Sequence, residues 1–263
     1  MVKFCPLFSS SKGNSFYIGS ETEGILIDAG RSCKQIETAL KNIGVAPKTI
    51  QNIFITHEHN DHVQGLRVFA NKYQPKVYAT GGTLGALDDM GILTEKYDAF
   101  CLQHTVDLSD FSVSFFRTSH DAAESCGFLV ETKAGKKIAL ATDLGVMTDG
   151  VFSAIEGADA ILLESNHDVK MLENNPIYPY SLKRRILGEK GHLSNEVSAA
   201  TAERLLKSGT KQILLGHLSE QNNLPQLAYE TTATALLASG AKKEEDFVLR
   251  VAKPVWDEGA FTL

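Results

Sequence analysis

Residues 57–62 read His-Glu-His-Asn-Asp-His and follow the apolar, β-branched run Ile53-Phe54-Ile55-Thr56. Such a run reads as a buried strand. Side chains alternate along extended backbone, so His57 and His59 project to one side. Neutral imidazoles suit zinc and similar ions, while a carboxylate suits harder or bridging coordination. A tight turn after His59 can carry Asp61 and His62 round to a second ion. Val63 then opens a helix whose positive end favours anions. A lone histidine at a strand end is ordinarily a side chain hydrogen-bonded to solvent. This spacing after a buried strand points instead to metal.

Three more apolar runs end in ligand-type residues. His120 follows Phe115-Phe116, Asp143 follows Leu140-Ala141, and His217 follows Ile213-Leu214-Leu215. Strands ending so can converge on one rim, as a site built on rigid elements requires. Strand patterns occupy 2–7, 15–18, 24–28, 52–56, 76–79, 111–118, 127–131, 137–142, 160–164, 212–216 and 247–252. Helical patterns run over 33–43, 63–73, 82–90, 145–155, 180–189, 194–208 and 224–239. Ser32 caps the first, and Gly44 lies just past its end. Sheets covered by helices give a layered α/β or α+β arrangement. Periodicity does not choose between three layers and four. Without a low-complexity linker, the expectation is a single domain over 1–263.

Composition narrows the setting. A chain of 263 residues can bury roughly three quarters of its unfolded surface. No apolar run approaches the ~20 residues of a membrane-spanning helix, and the N-terminus lacks the apolar core of a secretory signal. Cys5, Cys33, Cys101 and Cys126 form no C-x-x-C pair. They read as small buried residues in a reducing cytoplasm. The net charge of −6 argues against coating nucleic acid with the whole surface. It leaves a nuclease open, because bound divalent ions reverse the field at a carboxylate-rich site.

Three polar segments bear on substrate. Ser9-Ser10-Ser11-Lys12-Gly13-Asn14-Ser15 suits a tight turn and is either a hairpin loop or a phosphate contact. Glu164-Ser165-Asn166-His167-Asp168 lies at a strand end, with His167 either facing the site or supporting its loop. Lys183-Arg184-Arg185 lies on a helix and reads equally as a solvated face. Gly191-His192-Leu193-Ser194-Asn195 opens a helix whose free N–H groups can hold phosphate, with His192, Ser194 and Asn195 as added donors.

The chain resembles the metallo-β-lactamase superfamily through its H-x-H-x-D-H motif at 57–62 and later His, Asp and His at 120, 143 and 217. S-S-x-G-N-S, Leu26-Ile27-Asp28-Ala29-Gly30, E-S-N-H-D and G-H-L-S-N resemble its YycJ/WalJ branch. The resemblance implies a four-layer αβ/βα sandwich. It implies one metal at His57, His59 and His120, a second at Asp61, His62 and His217, and Asp143 bridging them. Zinc, manganese and iron all suit such a set. Two ions can share an activated hydroxide, which Asp61 would orient. The branch implies a DNA substrate degraded from its 5′ end, a link to mismatch repair, and terminal phosphate on His167, His192, Ser194 and Asn195. A small-molecule hydrolase of thioesters, lactones or cyclic phosphodiesters is the rival reading, and a catalytically silent binding protein the third.

Overall fold

Short apolar runs joined by helices become two parallel-strand cores in the computed structural model, which describes residues 1–263. Along the chain lie β1 (Lys3–Phe8), β2 (Ser15–Gly19), β3 (Gly24–Ile27), α1 (Cys33–Asn42), β4 (Ile50–Phe54), α2 (Asn60–Val63), α3 (Leu66–Tyr73), β5 (Lys76–Ala79), α4 (Gly81–Asp89), β6 (Ala99–Cys101), β7 (Val106–Asp107) and β8 (Phe111–Arg117). There follow β9 (Cys126–Thr132), β10 (Lys137–Ala141), α5 (Asp149–Ile155), β11 (Ala160–Glu164), α6 (Val169–Asn174), α7 (Tyr180–Ile186), α8 (Asn195–Lys207), β12 (Gln212–Gly216), α9 (Pro225–Ala238), β13 (Val248–Val251) and β14 (Phe261–Thr262). Two compact units emerge. One comprises Met1–Phe115, Ala122–Cys126 and Lys253–Leu263; the other comprises Phe116–Asp121 and Gly127–Ala252. Each is discontinuous in sequence, so no single linker divides them.

In the first unit a seven-stranded sheet runs β14-β1-β2-β3-β4-β5-β6. Strands β3 to β6 are parallel, with Leu26 beside Ile53 and Ile53 beside Val77. Parallel neighbours need long crossovers, which α1, α3 and α4 supply. Ile36, Leu40, Leu66, Phe69 and Leu87 from those helices pack on Leu26, Ile53 and Val77. In the second unit β10 to β13 are parallel, with Ala139, Ile161, Ile213 and Leu249 in register, and β9 is antiparallel to β10. Val151, Phe152, Ala202, Leu205, Ala228 and Leu236 of α5, α8 and α9 cover that ladder. Parallel strands present loops at their carboxyl ends, the usual place for a site in open α/β sheets. Those ends carry Asp28 and Thr56-His57 in one unit, and Asp143, Glu164 and His217 in the other.

Several boundaries differ from expectation for local reasons. The helix expected at 63–73 starts earlier, at Asn60, and breaks before Leu66. At the break Gly65 donates to Ala29 O, and a Cβ there would stand 2.0 Å from Arg31 O. The helix expected at 145–155 begins only at Asp149, capped by Thr148. Strands β6, β7 and β14 and helix α6 are too short to register as a period. All four cysteines are free, but Cys101, expected inside, is exposed on β6. Burial pushes the Cys5 thiol up to about 12. No helix is long and apolar enough to cross a membrane.

Candidate metal centre

In the first unit, β4 delivers Thr56 and His57 past its last paired residue, and α2 begins immediately after His59. His57 Nε2 and His59 Nδ1 stand 3.0 Å apart. That is close to the ~3.3 Å between two nitrogens on one tetrahedral ion with ~2.05 Å bonds. His62 Nδ1 lies 2.8 Å from Asp28 Oδ2, which also accepts from Thr56 Oγ1 at 2.8 Å. An imidazole donating through Nδ1 keeps its Nε2 lone pair for a metal. Burial pushes the Asp28 carboxyl up, opposed by its bonds to His62 and Thr56.

Beneath this turn Asn14 is clamped on every side. Its N–H donates to Asp61 O at 2.7 Å, and its Oδ1 accepts from Ser10 N at 3.1 Å. Its Nδ2 lies 3.2 Å from Asp61 Oδ2 and 3.1 Å from His62 Nε2. Gly30 N donates to Asn14 O, and a Cβ on Gly30 would stand 1.7 Å from Asp61 O. The hydroxyl-rich turn is thus a frame for the 57–62 segment. Glu58 Oε1 accepts from Ala123 N at 2.7 Å, tying the same segment to the loop after His120.

In the second unit the donors converge on Glu164, which is fully buried. Its Oε1 accepts from His192 Nδ1 at 2.8 Å and His217 Nδ1 at 2.9 Å. Its Oε2 accepts from Leu144 N at 2.9 Å and Leu193 N at 3.0 Å. Burial alone would raise this carboxyl; the charge and hydrogen bonds of the histidines bring it down to about 2. Asp143, Glu164, His192 and His217 offer ligand atoms all within 4.8 Å of one another. His120 Nδ1 lies 3.1 Å from Gly191 O, and its Nε2 lies 3.7 Å from Asp143 Oδ1. Burial pushes His120 down against the pull of Asp143, which favours the neutral ring that can ligate. Asp28, Asp143 and His217 all hold positive φ, at 63°, 58° and 55°. Strain of this kind collects where side chains must be aimed.

In the second unit Asp143, Glu164, His192 and His217 fit a divalent cation, and in the first His57 and His59 offer such an ion two adjacent nitrogens. Neutral imidazoles pinned through Nδ1, with carboxylates beside them, are the donors zinc, manganese and iron accept. Asp28, Asn14 and Glu164 lay in motifs visible in the sequence, and so did Asp61, His62, His192 and His217, but which of them pair was not visible.

The residues expected to touch phosphate divide. His192 is partly open. Ser194 Oγ caps α8 by accepting from Val197 N at 3.3 Å. Asn195 is fully buried, its Oδ1 accepting from Ser165 Oγ at 2.7 Å and its Nδ2 donating to Asn223 Oδ1 at 2.9 Å. His167 pairs with Ser194 in an isolated β-bridge and is 1% exposed, with neither ring nitrogen hydrogen-bonded within the protein. Burial pushes it down to about 4 from an ordinary 6.5. The native ring stays neutral while the unfolded chain takes a proton below 6.5, so this contribution is whole above that pH and is lost as pH falls toward 4. Between pH 7 and pH 5 the wild type is expected to lose about 2 kcal/mol that His167→Gln keeps. Urea unfolding at the two pH values checks this; parallel losses in both proteins would refute it.

Residues 24–218 match the family model described as Beta-lactamase superfamily domain. Among solved structures, the metallo-beta-lactamase fold protein YhfI from Bacillus subtilis aligns with a TM-score of 0.72 over 97% of this chain and 98% of that one, at 12% identity. Fold and donor sets thus define a protein of the metallo-β-lactamase fold, the αβ/βα class expected. The chain is 37% identical over 255 residues to the Bacillus anthracis protein named Exodeoxyribonuclease YycJ, covering 96% of each. It is also 37% identical over 256 residues to Exodeoxyribonuclease WalJ of Streptococcus pneumoniae, covering 96% of this chain and 94% of that one. The chain belongs to the metallo-β-lactamase superfamily and, within it, to the YycJ/WalJ branch.

Proposed function

We propose that this protein is a two-metal phosphodiesterase that degrades DNA from its 5′ end. The supporting observation is the 37% identity to proteins named exodeoxyribonuclease across nearly their whole length. In this reading the two units act as one metallo-β-lactamase-fold domain. His57, His59 and His120 hold one divalent cation, Asp61, His62 and His217 hold the other, and Asp143 is shared. Cations bound there lower the pKa of water and neutralise charge on the phosphoryl oxygens.

The chain's own groups do the rest. Asp61 orients the attacking water and accepts its proton. His192, its Nδ1–H held by Glu164, faces the scissile phosphate and, when it carries a second proton on Nε2, would pass that proton to the leaving oxygen. Ser194 and His167 line the phosphate side, and Asn195 fixes the start of α8 beneath them. The setting is the cytoplasm, and the excision step of mismatch repair is a fitting use.

The test is 5′-end-labelled double-stranded DNA with chelator-treated protein, resupplied with manganese, zinc or iron in turn. Metal-dependent release of the label as nucleotide is expected. Inert DNA beside rapid hydrolysis of a thioester, lactone or cyclic phosphodiester would overturn the reading in favour of a small-molecule hydrolase.

A further inference from the structure

Helix α7 buries none of its residues. Tyr180 at its start is 75% exposed, and Ile177 just before it is 74% exposed. A helix whose Leu182 and Ile186 are only partly buried draws little of its order from a core, and large apolar groups left outside mark contact surfaces. Its charge is equally distinctive. The chain carries −6, yet residues 176–190 hold four cations, Lys183, Arg184, Arg185 and Lys190, against the single carboxylate Glu189.

Tyr180, Lys183 and Arg184 lie at i, i+3 and i+4, which puts them on one helical face. The Arg184 guanidinium sits 6.0 Å from the Tyr180 ring centre. Lys183 Nζ donates to Glu173 O at 2.7 Å, a contact that leaves its charge uncompensated. Arg185 is differently employed, in an ion pair with Asp121, the residue after His120.

The far end of the helix is fastened to the donor set. His192 N donates to Ile186 O at 3.1 Å, and His120 Nδ1 bonds Gly191 O. A Cβ on Gly145 would stand 1.9 Å from Glu189 O, so that backbone lies directly on the loop after Asp143. An exposed aromatic beside unpaired cations, continuous with His192, is the arrangement that holds a single nucleic-acid strand: cations along the phosphates, a ring under a base.

We infer that α7 is the grip for a single DNA strand entering the site, with Lys183 and Arg184 on phosphates and Tyr180 stacked on a base. This rests on the nuclease reading above. The test is fluorescence anisotropy of labelled oligo(dT) across a salt series, with chelator present to stop cleavage. Lys183→Ala/Arg184→Ala flattens the slope of log affinity against log salt by about 1.4, at about 0.7 per phosphate contact, and weakens binding about tenfold. Tyr180→Ala weakens it about tenfold with the slope kept, and Tyr180→Phe restores it. Lys242→Ala, the same kind of charge loss outside this helix, leaves binding as it was.

Cleavage of end-labelled DNA by the metal-loaded wild type is run in parallel. If the wild type neither binds nor cleaves DNA, the nuclease reading falls and the grip with it. If it does both while folded α7 variants bind with unaltered affinity and slope, the grip alone falls. Circular dichroism confirms folding, and Lys183→Arg/Arg184→Lys, which keeps both charges, retains the slope.

Discussion

Asp61→Ala is expected to cut nucleotide release from end-labelled DNA by about 10³-fold or more while leaving the protein folded. The side chain is a quarter exposed, so its removal opens no buried cavity. The backbone contact that matters for the turn, Asn14 N to Asp61 O, survives in alanine. Asn14 Nδ2 loses one acceptor but keeps Ser10 O at 3.0 Å. Folding therefore stays and chemistry goes, because this carboxylate is assigned two tasks: holding the second cation and taking the proton from water. Metal content gives an independent readout, with one of the two cations lost on dialysis. Release that continues within tenfold of wild type would remove Asp61 from the mechanism, and a metal count unchanged by the substitution would remove it from the ligands.

The contrast between Asp61 and the residues that frame it shows what a sequence displays. His57, His59, Asp61 and His62 were legible because their relationship is local, six residues after a buried strand. His120, Asp143 and His217 were legible in outline, since each ends an apolar run. The frame was not. Asn14 meets Asp61 across 47 positions, and Glu164 meets His192 and His217 across 28 and 53. Those meetings depend on strand order and register, which no period in the sequence encodes. The same cause explains the break between α2 and α3: helical periodicity continues through Gly65, but Gly65 N is taken by Ala29 O and Asp61 O by Asn14 N, so the helical bond between them is not made.

Glu164→Gln is expected to leave a folded protein whose second-unit histidines are in the wrong tautomer. All four hydrogen bonds to Glu164 are accepted ones, two from imidazoles and two from backbone N–H groups. Glutamine offers one oxygen and one NH₂ in the same space. The backbone donors of Leu144 and Leu193 cannot change character, so the oxygen turns to them. The NH₂ then faces Nδ1 of His192 and His217, and each ring must accept there and carry its proton on Nε2 instead. A protonated Nε2 cannot ligate, and a His192 whose Nδ1 faces an NH₂ cannot hold the second proton that leaving-group protonation needs. Metal affinity should fall by about 10- to 100-fold, the usual effect of losing a carboxylate that orients a ligating histidine. Hydrolysis at saturating metal should still fall by about 10³-fold, since added metal does not restore the His192 tautomer. Nitrogen-15 imidazole spectra of the metal-free protein report the tautomer directly, apart from any activity. Spectra matching wild type, with hydrolysis restored in full by excess manganese, would show that Glu164 is only a buried charge and not the group that aims both rings.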